Sequence, residues 1–127
     1  MRLAAGAVEI WRIGLDQPGV PIESLYVRLD HEERGRADRF VFPEHRKRYI
    51  VAHAALRTML STYLGGNPDA VPFVVGPNGK PSLGPGARLR FNLAHSGNLA
   101  VAAIALDQEI GVDVEEVGRP VDLAAKT

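Results

Sequence analysis

Residues 89–115 read LRFNLAHSGNLAVAAIALDQEIGVDVE, and the three apolar segments within this run decide the fold. Leu89, Phe91 and Leu93 alternate with Arg90, Asn92 and Ala94, the period of a strand with one face in a core. Leu99 to Leu106 is apolar throughout and long enough for a buried strand. Ile110, Val112 and Val114 then alternate with Gly111, Asp113 and Glu115. Asp107-Gln108 reads as a hairpin connection, so the last two of these strands are expected to be antiparallel neighbours.

Upstream the pattern is mixed. Val8 to Ile13 combines β-branched and aromatic residues ahead of the turn signals Asp16, Pro18 and Gly19, which predicts a first strand. Asp30 followed three residues later by Glu33 is a capping-box pattern and opens a short polar helix to about Arg39. Pro43 suits the first position of the next helix, along which Tyr49, His53, Leu56, Leu60 and Tyr63/Leu64 recur at helical spacing until Gly65-Gly66 stops it. Asn67-Pro68 predicts a brief helical turn, Pro72 to Val75 a strand, and Gly76-Pro77-Asn78-Gly79 a turn. The expected fold is α+β, a small antiparallel sheet with helices on one face. Arg119 to Thr127 reads as a linker entering a helix that is cut short.

Composition narrows the function. A chain of 127 residues, 46% hydrophobic, suffices for one domain or one lobe. Fifteen basic and fifteen acidic residues cancel, so bulk charge gives no attraction to nucleic acid or anionic membrane, and any phosphate recognition has to be local. The absence of cysteine removes disulfides, thiolate catalysis and thiolate metal sites. Glu9 and Arg12 interrupt the opening residues too early for a signal peptide or a membrane span, which leaves the cytoplasm as the default compartment.

Three groups of residues offer chemistry. On a strand the carboxylates of Asp113 and Glu115 share one side, with backbones roughly 6–7 Å apart. Such a pair suits Mg²⁺, which takes one or two carboxylates together with substrate phosphates; the plainer reading is a solvated acidic face. Phe91-Asn92-Leu93-Ala94-His95-Ser96-Gly97 ends a strand in polar and small residues, where His95 either donates to a phosphate or bonds a backbone carbonyl. In Gly79-Lys80-Pro81 the glycine allows close approach to a ligand, although ordinary turns contain the same tripeptide. Arg34, Arg36 and Arg39 lie on the short helix, and Arg46, Lys47 and Arg48 on the first turns of the long one. Some guanidinium forks there can match phosphate oxygens, but Glu32, Glu33, Asp38 and Glu44 dilute the patch and argue against nucleic-acid binding. His31, His45 and His53 have no metal-ligand spacing, and no nucleophile-elbow sequence is present.

Taken in order, Arg39-Phe40-Val41-Phe42, Arg46 to Arg48, Leu56-Arg57, Gly79-Lys80-Pro81, Phe91 to Ser96 and Gly111-Val112-Asp113-Val114-Glu115 resemble the N-terminal lobe of Sfp-type 4′-phosphopantetheinyl transferases. The resemblance runs from about Asp30 to Glu115. It implies an enzyme of two similar α/β lobes with coenzyme A between them, residues 1–117 forming the first lobe and 118–127 leading toward a second. By motif position it implies Asp113 and Glu115 as catalytic Mg²⁺ ligands. His95 and Arg36 would meet the 3′-phosphate of coenzyme A, helped by Arg48. The Val75 to Lys80 segment would line the adenine pocket, with Gly79, Lys80, Pro81, Asn92 and Ala94 among the coenzyme A contacts. The implied reaction transfers phosphopantetheine to a serine of an acyl or peptidyl carrier protein.

Two departures from the family pattern stand out. Ala94 replaces a usual serine, removing one hydroxyl contact to the phosphates. A Trp-x-x-Lys-Glu motif, carried by the family's second lobe, does not occur, Trp11 being the sole tryptophan. The lobe alone is therefore expected to turn over poorly and to form a homodimer through the surface that faces the second lobe. Two competing readings are a non-catalytic half that holds coenzyme A or a carrier protein, and a small RNA-binding domain using residues 34–48, whose binding would depend steeply on salt.

Overall fold

In the computed structural model, residues 3–4, 6–76 and 80–108 are described in full and 111–115 and 122–126 by their backbone. They divide into a helical unit, Ile13–Val71, and a strand-built unit, Arg2–Arg12 with Pro72–Thr127.

The helical unit contains α1 (Ile22–Tyr26), α2 (His31–Asp38) and α3 (Pro43–Leu64). The predicted capping box opens α2. Asp30 Oδ1 accepts from the Glu33 backbone N–H at 2.8 Å, and the Asp30 N–H donates to Glu33 Oε1 at 2.9 Å. Two of the four donors that a helix start leaves unpaired are thereby satisfied. Pro43 takes the first turn of α3, where its missing N–H costs nothing, and Gly65 ends the helix at φ +75°, a backbone state that a side chain would strain. Its N–H still donates to the Ser61 carbonyl at 2.8 Å. Asn67 then accepts from Asp69 N–H at 2.9 Å and starts a 3₁₀ turn over Pro68–Ala70. Leu29, Ala37, Ile50 and Ala54 form an apolar cluster that joins α2 to α3, flanked by Ile22, Leu25 and Tyr26 of α1. None of the described helices is long and apolar enough to cross a membrane.

The strand unit holds β1 (Val8–Gly14), β2 (Val74–Val75), β3 (Pro81–Ser82), β4 (Leu89–Ser96), β5 (Leu99–Leu106), β6 (Gly111–Glu115) and β7 (Asp122–Lys126). The main sheet runs β1-β5-β4, and β4 pairs antiparallel with β5 from Leu89↔Leu106 to Ser96↔Leu99. Gly97 makes the connecting turn at φ +57°. The central β5 is buried from Ala100 to Leu106, as its unbroken apolar run predicts. Val101, Ala103 and Ala105 pack with Val8, Ala94 and Leu99.

Three expectations change. The predicted strand at 72–75 shrinks to the two residues of β2, which pair with β3, while Gly76 N–H donates to the Lys80 carbonyl at 3.0 Å. Residues 77–79, expected as the turn, lie outside the described residues. Among the described residues β5 and β6 are not hydrogen-bonded neighbours: β6 pairs with β7. At the end of β5, Asp107 has φ +57°, donates its N–H to the Arg88 carbonyl at 2.7 Å and binds the Arg88 guanidinium at 2.9 Å. The chain leaving β5 is thus tied to the residue ahead of β4. Finally, the segment predicted to begin a helix is β7, with Glu115 opposite Asp122 and Asp113 opposite Ala124. Ladder hydrogen bonds to β6 override the helical preference of Leu123, Ala124 and Ala125.

Candidate functional site

α2 and α3 meet at a corner made by residues 39–42, where Phe40, Val41 (85% exposed) and Phe42 are all exposed. The corner shapes a cleft of about 220 Å³ lined by Arg36, Arg39, Phe40 and Tyr49. Phe40 and Tyr49 form an aromatic wall with ring centroids 5.6 Å apart, and His45 sits edge-on to both Phe40 and Phe42. Burial pushes the Tyr49 phenol well above its ordinary range, and the Glu33 carboxylate adds to the effect while Arg36 opposes it. Tyr49 is therefore a neutral hydrogen-bonding group at any working pH.

Local pairing separates the basic residues that look alike in sequence. Arg46 lies over the Tyr26 ring at 4.8 Å and reaches Glu23 and Asp38 at 3.4 and 3.5 Å. Arg48 grips Asp16 with two N–H groups, at 3.0 and 3.3 Å, and Glu44 at 3.5 Å. Arg34 donates to the Val27 carbonyl at 2.8 Å. Among the described residues, Arg36, Arg39 and Lys47 make no ion pair, and Arg36 Nε is buried without a hydrogen-bond partner. Of the acidic neighbours that dilute the patch on paper, Asp38 and Glu44 are engaged with Arg46 and Arg48, and Glu33 with His53 and Arg57, whereas Arg36 and Arg39 at the cleft make no ion pair among the described residues. Two arginines beside an aromatic wall suit an anion attached to a flat or apolar body.

In the strand unit the predicted contacts gather on β4 and β3. Asn92 is buried opposite Ala103, Ala94 sits opposite Val101, and His95 is exposed opposite Ala100 near the strand end. Ala94 packs against the Val101, Ala103 and Ala105 cluster, so its methyl contributes to the core of the sheet where a serine would bring a hydroxyl. Pro81 opens β3 opposite Val75, and Lys80 is exposed beside it. Gly79 lies outside the described residues. Asp113 and Glu115 are in β6 as predicted, but their side chains lie outside what is described. No group of three or more His, Asp or Glu able to hold a metal occurs among the described residues.

Sequence reasoning picked out Arg36 and Arg48 but left Phe40 and Tyr49 without a site role. It also missed a buried hub beneath them. Glu33, read as a capping residue and as one of the acids diluting the basic patch, accepts from His53 Nδ1 at 2.9 Å through Oε2 and from Arg57 Nε at 2.8 Å through Oε1. Arg57 further donates to Asp30 Oδ2 at 2.9 Å and to the carbonyls of Pro68, Asp69 and Val71. Burial pushes the Glu33 carboxyl up, yet the bonds from His53, Arg57 and the Asp30 N–H outweigh it and hold the group below its ordinary value. The readable signal was Tyr49, His53 and Arg57 at i, i+4 and i+8, a polar stripe on an otherwise apolar face.

Comparison with known proteins agrees with the order of motifs. Residues 21–107 match the family described as 4′-phosphopantetheinyl transferase, N-terminal. The chain is 41% identical over 126 residues to the 4′-phosphopantetheinyl transferase HetI of Nostoc sp., covering 97% of this chain and 53% of that protein. It is 32% identical over 103 residues to a 4′-phosphopantetheinyl transferase of Bacillus pumilus, covering 81% of this chain and 43% of the relative. The chain therefore spans about half the length of the curated relatives it matches. With its capped polar helix, its glycine-stopped long helix and its β4–β5 hairpin inside the matched residues, this chain belongs to the 4′-phosphopantetheinyl transferase family, in the part that corresponds to the N-terminal domain.

Proposed function

We propose that this chain supplies the N-terminal half of a site that moves the 4′-phosphopantetheine group of coenzyme A onto a serine of an acyl or peptidyl carrier protein. The observation that carries the reading beyond family membership is the cleft at Arg36 and Arg39, two arginines that make no ion pair among the described residues and stand beside an aromatic wall. An anionic ligand is the partner such a cleft lacks.

In this reading Arg36 and Arg39 bind a phosphate of coenzyme A, and Tyr49 offers it a neutral hydroxyl. Arg48 contributes less directly, because it would have to release Asp16 and Glu44 first. On the strand unit His95 and Lys80 present exposed donors. Asp113 and Glu115 of β6 are an all-carboxylate donor pair of the type that suits a hard cation, and they would hold Mg²⁺. When bound, the ion neutralises charge that grows on the diphosphate. In the reaction the serine oxygen bonds to the β-phosphorus and the bond to the bridging oxygen breaks. The hydroxyl proton passes to solvent water and adenosine 3′,5′-bisphosphate departs. Cationic groups at the cleft stabilise that departing charge by being in place beforehand.

Calorimetric titration of the chain with coenzyme A, with and without Mg²⁺, tests the proposal. Arg36→Ala is expected to weaken binding by about 2 kcal/mol, the size of a charge-assisted hydrogen bond to a phosphate. Asp113→Ala should abolish the Mg²⁺ dependence. Binding of coenzyme A that ignores both substitutions would rule out the site.

A further inference from the structure

The proposed reaction makes no use of the carboxylate, imidazole and guanidinium buried under the cleft. Glu33, His53 and Arg57 are exposed by 4%, 8% and 1%, respectively. A carboxylate held ionised can only accept hydrogen bonds, so His53 Nδ1 carries the proton in the 2.9 Å contact to Glu33 Oε2. That bond fixes the plane of the imidazole. Tyr49, one turn away on α3, stacks on the same ring with centroids 4.1 Å apart and planes 23° from parallel. Tyr49 is in turn a wall of the cleft, together with Phe40 and Arg36. On α2, Glu33 precedes Arg36 by three residues, so the helix turn that the hub grips is the one that presents Arg36.

We propose that Glu33 and His53 are positioning residues for the cleft: the Glu33–His53 bond orients the ring on which Tyr49 rests, and the same carboxylate holds the turn of α2 that carries Arg36. The proposal rests on the reading of the cleft as an anion site. Arg57 has a different task, because its remaining bonds go to Asp30 and to the 3₁₀ carbonyls of Pro68 and Asp69 and to Val71. It fastens the chain after α3, whereas the Glu33–His53 bond faces the aromatic wall.

Two variants and one wild-type measurement test this. Glu33→Gln keeps the His53 ring but weakens its anchor, and His53→Phe keeps a ring under Tyr49 but removes the bond. The Tyr49 aromatic proton signals, assigned by their loss in Tyr49→Phe, report the stacking geometry without any ligand. They are expected to move in Glu33→Gln, and both variants should bind coenzyme A about tenfold more weakly while still folded, a loss equivalent to one charge-assisted hydrogen bond. Folded variants with unchanged Tyr49 signals and unchanged affinity would overturn the proposal. If neither variant folds, the wild-type chain decides: titration with coenzyme A should shift both the Tyr49 and His53 ring signals, and binding that moves neither refutes the role. A wild-type chain that binds no coenzyme A would sink the functional reading. The Tyr49 signals in Glu33→Gln would still decide whether the hub sets the cleft.

Discussion

The two units bury unlike material. β5 fills the strand unit with alanine, valine, isoleucine and leucine, and among the described residues Asn92 is the one buried polar side chain there. The helical unit buries Glu33, His53 and Arg57 together between α2 and α3. An apolar strand is stabilised by area removed from water, which is indifferent to direction and tolerant of like-sized replacements. A buried charged hub is stabilised only while every member keeps its partners, because an orphaned charge in a low-dielectric interior is expensive. The difference teaches that the sheet is built for bulk and the α2–α3 corner for fixed geometry, and the candidate cleft sits at the corner.

The sharpest way to break that contrast is at Arg57. Arg57→Ala leaves the Glu33 carboxylate short of one partner, removes the cation paired with Asp30 Oδ2 and strips a donor from three carbonyls. The expected loss is about 3–5 kcal/mol, read as a fall in the urea midpoint. A loss below about 1 kcal/mol would make the hub no more exacting than the sheet.

Acid should find the same weak point. The folded Glu33 carboxyl titrates below its ordinary value near 4.5, so its contribution is complete above that pH and is lost as pH falls through the lower folded value. Stability measured between neutral pH and about pH 3 is expected to decline on the acid side. Glu33→Gln should flatten that part of the curve, and an unaltered acid limb in the variant would assign the loss to other carboxylates. In the sheet, Ile104→Val removes one methylene from a fully buried position and is expected to cost about 1 kcal/mol at every pH in that range. That flat profile is the counterpart of the hub's pH-dependent one.

The same division explains what was legible in the sequence. Apolar periodicity and chain punctuation are local, so Pro43, Gly65-Gly66, the Asp30/Glu33 capping box and the 99–106 run gave their elements correctly. Where a segment depends on a distant partner the reading failed. Leu123, Ala124 and Ala125 look helical until β6 is available to pair with them, and the β5–β6 connection looks like a hairpin until β6 is seen paired with β7. The site follows the same rule. Arg36 and Arg48 are indistinguishable as letters, and only the positions of Asp16 and Glu44 show that Arg48 is ion-paired, whereas Arg36 has no ion pair among the described residues. Glu33 announced its cap through a three-residue spacing, but its bonds to residues 20 and 24 positions away had no local signature.

The smallest expected effect concerns the ion pair at the end of the β4–β5 hairpin. Arg88 and Asp107 meet at 2.9 Å with both side chains exposed, 70% and 53%. Their hydrogen bond lowers the Asp107 carboxyl and raises the Arg88 guanidinium, the same directions a buried pair would show. Exposure changes what those directions are worth. Water already solvates both charges well, holding two flexible side chains together costs entropy, and salt screens the remaining attraction. The backbone bond from Asp107 N–H to the Arg88 carbonyl does not depend on the Arg88 side chain, so the chain path after β5 should survive its removal. Arg88→Gln is therefore expected to move the urea midpoint less than Ile104→Val does, and to become indistinguishable from wild type in about 0.5 M salt. A drop as large as that of Ile104→Val, persisting in salt, would mean that this end of the sheet relies on a directed polar contact as the α2–α3 corner does, and the contrast between the two units would narrow accordingly.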